Sequence, residues 1–95
     1  MANVRKHVII KGRVQGVWFR ASTQEQALAN GLTGWVKNTW DGDVEAVFEG
    51  EEESVEEVVK WCHRGPPGAF VKEVQVTTEE YTGEFSTFSI EYNRW

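Results

Sequence analysis

The spacing of apolar residues along the chain predicts strands and helices in alternation. A short apolar run, Val8-Ile9-Ile10, predicts a strand over residues 5–11 that is buried on both faces. Other strand-like runs predict strands over 32–38, 43–49 and 70–78, and a short fifth strand in which Phe88, Ile90 and Tyr92 alternate with Ser89, Glu91 and Asn93. Asp-Gly at positions 41–42 predicts a hairpin between the second and third strands.

Two segments have the spacing of amphipathic helices. The clearer covers residues 52–64, with apolar residues at i, i+3, i+4 and i+7, namely Val55, Val58, Val59 and Cys62. The other covers residues 19–30 and ends at Gly31, with a thin shared face of Val17, Ala21, Gln24 and Leu28. Ser22 and Glu25 have capping-box spacing, so this helix starts either at Phe19 or three residues later.

The order of elements is βαββαβ followed by a last strand. Two right-handed βαβ crossovers put both helices on one face of an antiparallel sheet. The expected fold class is therefore α+β, a ferredoxin-like split βαβ layer. This fold hosts many functions and does not by itself indicate a chemistry.

Composition limits the classes of protein that need consideration. A length of 95 residues predicts one domain over 1–95, and nothing in the chain demands more than a monomer. The one cysteine, Cys62, excludes an internal disulfide and a Cys-rich metal or iron–sulfur site. There is no signal-peptide pattern and no apolar run of membrane-spanning length, so the expected location is the cytoplasm.

The net charge of −5 hides an asymmetry along the chain. Residues 1–24 hold five bases and no acid, whereas all fifteen acids follow. An acidic protein does not attract nucleic acid broadly, and a small basic patch on an acidic body suits a small anion better than a long polyanion.

The stretch from Lys11 to Arg20 carries the strongest candidate chemistry. It joins a buried strand to a helix, holds Gly12 and Gly16, and ends in an arginine. In such a turn, successive N–H groups can point into one concavity at the positive end of the following helix. An arginine beside it matches two phosphate oxygens. The loop is thus either an anion cradle, with phosphate the natural ligand, or a tight turn whose arginine is solvated.

Asn38, at the end of the second strand, has no role that the pattern alone assigns. A right-handed first crossover is expected to put the exits of the first two strands on different edges of the layer. The pattern therefore does not bring Asn38 beside the loop, and a turn-starting asparagine explains it as well as a catalytic one.

Two long motifs are similar to the signatures of the acylphosphatase family. The first is Gly-Arg-Val-Gln-Gly-Val-Trp-Phe-Arg at 12–20, and the second is Gly-Trp-Val-Lys-Asn-Thr-Trp-Asp-Gly-Asp-Val-Glu-Ala-Val-Phe-Glu-Gly at 34–50. Both match without a gap and in the family's order and separation. The resemblance covers nearly the whole chain, although residues 67–87 are not diagnostic.

The resemblance implies a metal-independent hydrolase that cleaves acyl phosphates to a carboxylate and inorganic phosphate, and it implies the ferredoxin-like fold. Arg20 matches the family's phosphate-binding arginine, and Asn38 matches the asparagine that orients the attacking water. The phosphate cradle matches the backbone amides of Gln15, Gly16, Val17, Trp18 and Phe19. No cofactor, nucleic-acid partner or membrane partner is implied. The acyl phosphate is either a small metabolite or an acyl-phosphorylated protein side chain.

Two competing functions fit the same fold. A module that reads single-stranded RNA would stack bases on aromatic residues of its first and third strands, but residues 5–11 contain none. A regulatory acylphosphatase-like domain would bind phosphate without useful turnover, and a measurement of turnover separates it from an enzyme. Trp18 and Trp40 either wall the acyl group or pack, and Thr39 is a candidate for a hydrogen bond near the site.

The remaining chemistry-bearing side chains have structural explanations. His7 is expected to be a surface or sheet histidine, and His63 to serve the end of the second helix. Cys62 lies on an apolar stripe and is expected to be a small core residue.

Overall fold

The computed structural model describes residues 2–92, which form five strands and two helices. The predicted fifth-strand position Asn93 lies outside the described residues. In chain order the elements are β1 (Asn3–Arg13), α1 (Phe19–Ala29), β2 (Thr33–Asn38), β3 (Val44–Glu51), α2 (Glu52–Cys62), β4 (Phe70–Glu79) and β5 (Phe88–Ile90). Within residues 2–92, neither helix has the length and apolar character needed to cross a membrane.

The strands form one sheet in the order β4-β1-β3-β2-β5. β1 pairs antiparallel with β3 and β4, and β2 pairs antiparallel with β3. The α+β, ferredoxin-like arrangement is thus confirmed, with one correction: β5 pairs parallel to β2, so the sheet is mixed rather than antiparallel throughout.

The position of β3 also corrects the expectation about strand exits. β1 and β2 are both antiparallel to β3, which lies between them, and they therefore run parallel to each other. Their C-terminal ends meet at the same edge of the sheet. The loop that follows β1 and the residue that ends β2 are brought to one end of the molecule, contrary to the expectation.

The core lies between the helices and one face of the sheet. The predicted apolar stripe of α2 is confirmed, since Val55, Val58 and Cys62 are fully buried. The predicted stripe of α1 is wrong: its buried residues are Phe19, Thr23 and Ala27, whereas Leu28 is half exposed. Thr23 can face the core because its hydroxyl donates to the carbonyl of Phe19 at 2.8 Å.

β1 continues further than predicted, so the loop is shorter. A bulge in the β1–β4 pairing falls between Lys11 and Gly12, and pairing resumes through Arg13. Gly12 has φ 131°, and a Cβ there would lie 2.1 Å from the Phe70 carbonyl oxygen, so only glycine lets β4 approach this closely. The connection to α1 is left with residues 14–18, and α1 begins at Phe19 rather than three residues later.

A buried carboxylate fastens the long connection between β4 and β5. Glu49, on β3, has no exposed surface, and it accepts hydrogen bonds from the N–H groups of Thr82 and Gly83, both at 3.0 Å. The Thr82 hydroxyl donates at 2.9 Å, and Arg5 Nη1 forms an ion pair with the carboxylate at 3.0 Å. Arg5 also pairs with Glu79 and Glu84. These contacts fix the start of the segment that leads into β5.

Candidate functional site

The loop between β1 and α1 has the backbone geometry of an anion-binding turn. The sign of φ alternates, being 77° at Gly16, negative at Val17 and 64° at Trp18. Such alternation turns successive N–H groups toward one side. Within residues 2–92, the N–H groups of residues 15–18 donate to no other protein group. The loop therefore presents a row of N–H donors that the described part of the chain leaves available to a ligand.

Arg20 lies in the first turn of α1, beside this loop. Its side chain is half-buried, and its guanidinium carbon lies 5.1 Å from the centroid of the Tyr92 ring. The first turn contains no acidic residue, so the positive end of the helix is not offset there. The guanidinium and the loop N–H groups add to one local positive field.

Asn38 is the last residue of β2, and the turn that follows it is tied to the loop. The Gln15 side-chain amide donates to the carbonyl of Thr39 at 2.9 Å and to that of Asp43 at 2.8 Å. Thr39 closes the turn itself, because its hydroxyl accepts the Asp43 N–H at 3.1 Å. These bonds fix the position of the turn relative to the loop, and with it the end of β2.

A cavity of about 320 Å³ brings most of the predicted site residues together. Of the residues predicted from the sequence, it is lined by Gly16, Trp18, Phe19, Arg20 and Asn38. Gln15 and Val17 are outside the lining, and the Gln15 side chain is used for the turn instead. The convergence of Arg20 and Asn38 follows from the parallel relation of β1 and β2.

Four lining residues were not anticipated from the sequence. They are Val14, Ala21, Ile90 and Tyr92. Ile90 and Tyr92 reach the cavity because β5 pairs with β2, the strand that ends at Asn38. The alternation of apolar residues near the C-terminal end was a visible signal for a strand, but it did not indicate which strand would be its neighbour.

The other candidate side chains have separate positions. Trp18 lines the cavity but is 82% exposed, so it is not a core residue. Trp40 lies at the β2–β3 turn, also largely exposed, outside the lining of this cavity.

The two histidines and the cysteine lie where the sequence predicted. His7, on the sheet, contacts Glu45 at 2.6 Å, and the exposed His63 donates from Nδ1 to the Val59 carbonyl at 3.1 Å at the end of α2. Cys62 is fully buried, and burial raises the pKa of its thiol to about 12. A thiol with that pKa carries almost no thiolate near neutral pH.

The site as a whole combines a cation, a row of N–H donors and a carboxamide around one cavity. The first two suit the oxygens of a tetrahedral anion, and a carboxamide can both donate to and accept from a water molecule. No acid–base side chain is needed to build this set. The fold and cavity together define a ferredoxin-like α+β protein with a compact polar site at the end of the sheet.

Comparison with known proteins identifies the family. A model of the acylphosphatase family matches residues 6–90. The acylphosphatase of Pelotomaculum thermopropionicum is 55% identical over 92 residues, which span 97% of this chain and 100% of that protein. The structure of an acylphosphatase from Coxiella burnetii matches with a TM-score of 0.90 and 39% identity, covering 94% of this chain and 93% of that one.

A much longer protein contains a similar unit. The crystal structure of full-length HypF, in its phosphate- and nucleotide-bound form, matches with a TM-score of 0.82 and 28% identity over 95% of this chain and 12% of that chain. The protein described here belongs to the acylphosphatase family and is an acyl phosphate hydrolase.

Proposed function

We propose that the protein hydrolyses the carboxyl–phosphate bond with Arg20 and the backbone amides of residues 15–19 holding the phosphoryl group and Asn38 orienting the attacking water. The observation that carries this proposal is the shared cavity, in which Arg20 and Asn38 meet the loop. The alternating φ angles of the loop, and its N–H groups that have no partner within residues 2–92, support the assignment of the cradle.

The bonding changes place little demand on acid–base groups. The water oxygen bonds to phosphorus, the bond from phosphorus to the carboxyl oxygen breaks, and its electron pair leaves on the carboxylate. The conjugate acid of that leaving group has a pKa of about 4, so it departs without being protonated. One water proton stays on the oxygen that bonds to phosphorus and the other passes to a phosphoryl oxygen, giving a carboxylate and dihydrogen phosphate. Catalysis then rests on positioning and on stabilising the charge of the phosphoryl oxygens.

The assignment of Asn38 is tested by steady-state hydrolysis of benzoyl phosphate with EDTA present. We expect wild-type turnover without added metal, and a loss of kcat of about 10²-fold or more in Asn38→Ala, the scale for a group that acts in the transition state. The inhibition constant of inorganic phosphate should change less than threefold, because Arg20 and the loop remain. Asn30→Ala is the matched control, since Asn30 caps the opposite end of α1 and bonds the Gln26 carbonyl.

Two results would contradict the proposal. A kcat for Asn38→Ala within threefold of the wild-type value would remove the water-orienting role. Binding of phosphate without turnover by the wild type would favour a regulatory role over catalysis. The pH dependence tests the proton route: kcat should be flat between about pH 6 and 8, and a steep limb there that one substitution abolishes would show that a side chain takes the proton.

A further inference from the structure

The contact between Arg20 and Tyr92 joins two residues that line the candidate site. The guanidinium carbon is 5.1 Å from the ring centroid, within the range in which a cation is attracted to an aromatic face. Among residues 2–92, Arg20 forms no ion pair and no side-chain hydrogen bond. Within residues 2–92, the cation–π contact with the Tyr92 ring is therefore the interaction that restrains the Arg20 guanidinium.

Tyr92 lies two residues beyond the end of β5, a strand that is well anchored. β5 pairs with β2 so that Val36 lies opposite Ile90, and the Glu91 N–H donates to the Val36 carbonyl at 2.8 Å. Tyr92 follows two residues after Ile90 and lines the same cavity as Asn38. Phe88 anchors the start of β5, since it is 1% exposed and stacks on Phe48 with ring centroids 5.4 Å apart.

A second tie joins β5 directly to the helix that carries Arg20. The Gln24 side-chain amide donates to the Phe88 carbonyl at 3.1 Å. Gln24 lies one turn along α1 from Arg20, so the start of the helix and the end of β5 are held in a fixed relation. This framework brings the chain past Arg20, and there the Tyr92 ring, which is 67% exposed, lies over the guanidinium.

An aromatic partner suits an arginine that must bind a phosphate. Arginine has a large rotamer entropy, and a free side chain would have to be ordered each time that substrate binds. A carboxylate would restrain the guanidinium but would also occupy its N–H groups and offset its charge. An aromatic face restrains the cation and leaves the charge and the planar fork available to phosphate oxygens.

We propose that Tyr92 is a positioning residue for Arg20, so that β5 and Tyr92, two residues beyond it, are part of the active site. This inference rests on the phosphate-binding role of Arg20 proposed above. The acting group is the ring rather than the hydroxyl. The expected consequence is a dependence of phosphate affinity on the aromatic ring that disappears when Arg20 is absent.

The test measures kcat/KM for benzoyl phosphate and the inhibition constant of inorganic phosphate in Tyr92→Phe and Tyr92→Leu. Tyr92→Phe should stay within twofold of the wild type for both. Tyr92→Leu should raise the phosphate inhibition constant about two- to fivefold and lower kcat/KM by at least as much, the range for one cation–π contact. Tyr81→Leu is the matched control, because Tyr81 is a partly exposed tyrosine of the β4–β5 connection outside the cavity lining.

A double-mutant cycle separates positioning from a general effect on the fold. In an Arg20→Gln background, Tyr92→Leu should have no further effect on kcat/KM, because the cation that it positions is gone. Equal effects in both backgrounds would overturn the inference, as would a Tyr92→Phe variant as impaired as Tyr92→Leu. If Arg20→Gln leaves the phosphate inhibition constant unchanged, the phosphate-binding proposal fails. If Arg20→Gln weakens phosphate binding but Tyr92→Leu changes neither the inhibition constant nor kcat/KM, only the role of Tyr92 is refuted.

Discussion

Trp18 combines a left-handed backbone with an exposed side chain. Its φ is 64°, and in residues 2–92 no other residue apart from glycines has positive φ. For a bulky residue this conformation costs about 1–2 kcal/mol, and the 82% exposure of the ring means that little burial offsets it. Strain of this kind persists where the surrounding structure imposes it, and here it lies in the loop that lines the candidate site.

We expect Trp18→Gly to leave the free energy of unfolding unchanged or to raise it by up to about 1 kcal/mol. Glycine relieves the strained φ, but it also raises the entropy of the unfolded chain, which lowers the free energy of unfolding by about 0.5–1 kcal/mol. At the same time kcat/KM for benzoyl phosphate should fall, because one wall of the cavity is lost. Urea denaturation and steady-state kinetics measure the two effects. Trp40→Gly, an exposed tryptophan with ordinary φ, should lose stability, and an equal loss in Trp18→Gly would contradict the expectation.

At the scale of elements, the sequence pattern predicted those features that depend on residues close together in the chain. The i, i+3, i+4, i+7 spacing in α2 identified its buried face, because the hydrophobic effect acts there on a simple amphipathic helix. α1 was assigned the wrong face, since a threonine that satisfies its own hydroxyl within the helix is not visible as a core residue. The meeting of Asn38 with the loop, and of Tyr92 with Arg20, depends on β3 lying between β1 and β2 and on β5 joining β2. Those are pairings between distant segments, which hydrophobic periodicity does not encode. For Asn38, it was the resemblance to a family, and not the pattern, that indicated a place in the same site as the loop.

The cluster around Glu49 should make the stability of the protein depend on pH in the acidic range. Burial raises the pKa of Glu49, but the N–H of Thr82, the Arg5 guanidinium, the Thr82 hydroxyl and the N–H of Gly83 outweigh it and hold the pKa below its ordinary value. Because the folded-state pKa is the lower one, this contribution to stability is present above the unfolded pKa. It is lost as the pH falls from about 4.5 through the folded value.

We expect Glu49→Gln to lower the free energy of unfolding at pH 7 by about 2 kcal/mol or more, the scale of hydrogen bonds to a buried charge. Arg5 keeps Glu79 and Glu84, so its own charge is not left without a partner. In urea denaturation, the difference from the wild type should shrink as the pH is lowered below about 4. Glu80→Gln changes an exposed carboxylate and serves as the control. A difference that stayed constant between pH 7 and pH 3 would show that Glu49 stabilises the fold through shape rather than charge.

At the scale of the whole molecule, charge is distributed unevenly around the site. The protein carries a net charge of −5 and should repel a dianionic substrate at long range. Arg13 directly precedes the loop and lines a shallow surface pocket with Lys72 and Gly68. A Cβ on Gly68 would lie 3.9 Å from Val17, so this pocket adjoins the outer side of the loop. In the part of the chain that the structure describes, neither Arg13 nor Lys72 forms an ion pair, unlike Lys11, which is 2.8 Å from Asp43.

These two cations should guide the substrate rather than take part in the chemistry. Changing both, Arg13→Gln with Lys72→Gln, is expected to lower kcat/KM for benzoyl phosphate about three- to tenfold at low ionic strength and to leave kcat unchanged. At about 0.5 M salt the difference should vanish, because the screening length falls to about 4 Å. The pair Lys6→Gln with Lys60→Gln, in a separate groove between α2 and the β1–β4 part of the sheet, also takes the net charge from −5 to −7. If this control lowers kcat/KM as much, net charge alone governs the encounter with substrate. If Arg13→Gln with Lys72→Gln lowers kcat, and the loss persists in high salt, one of the two cations contacts the bound substrate.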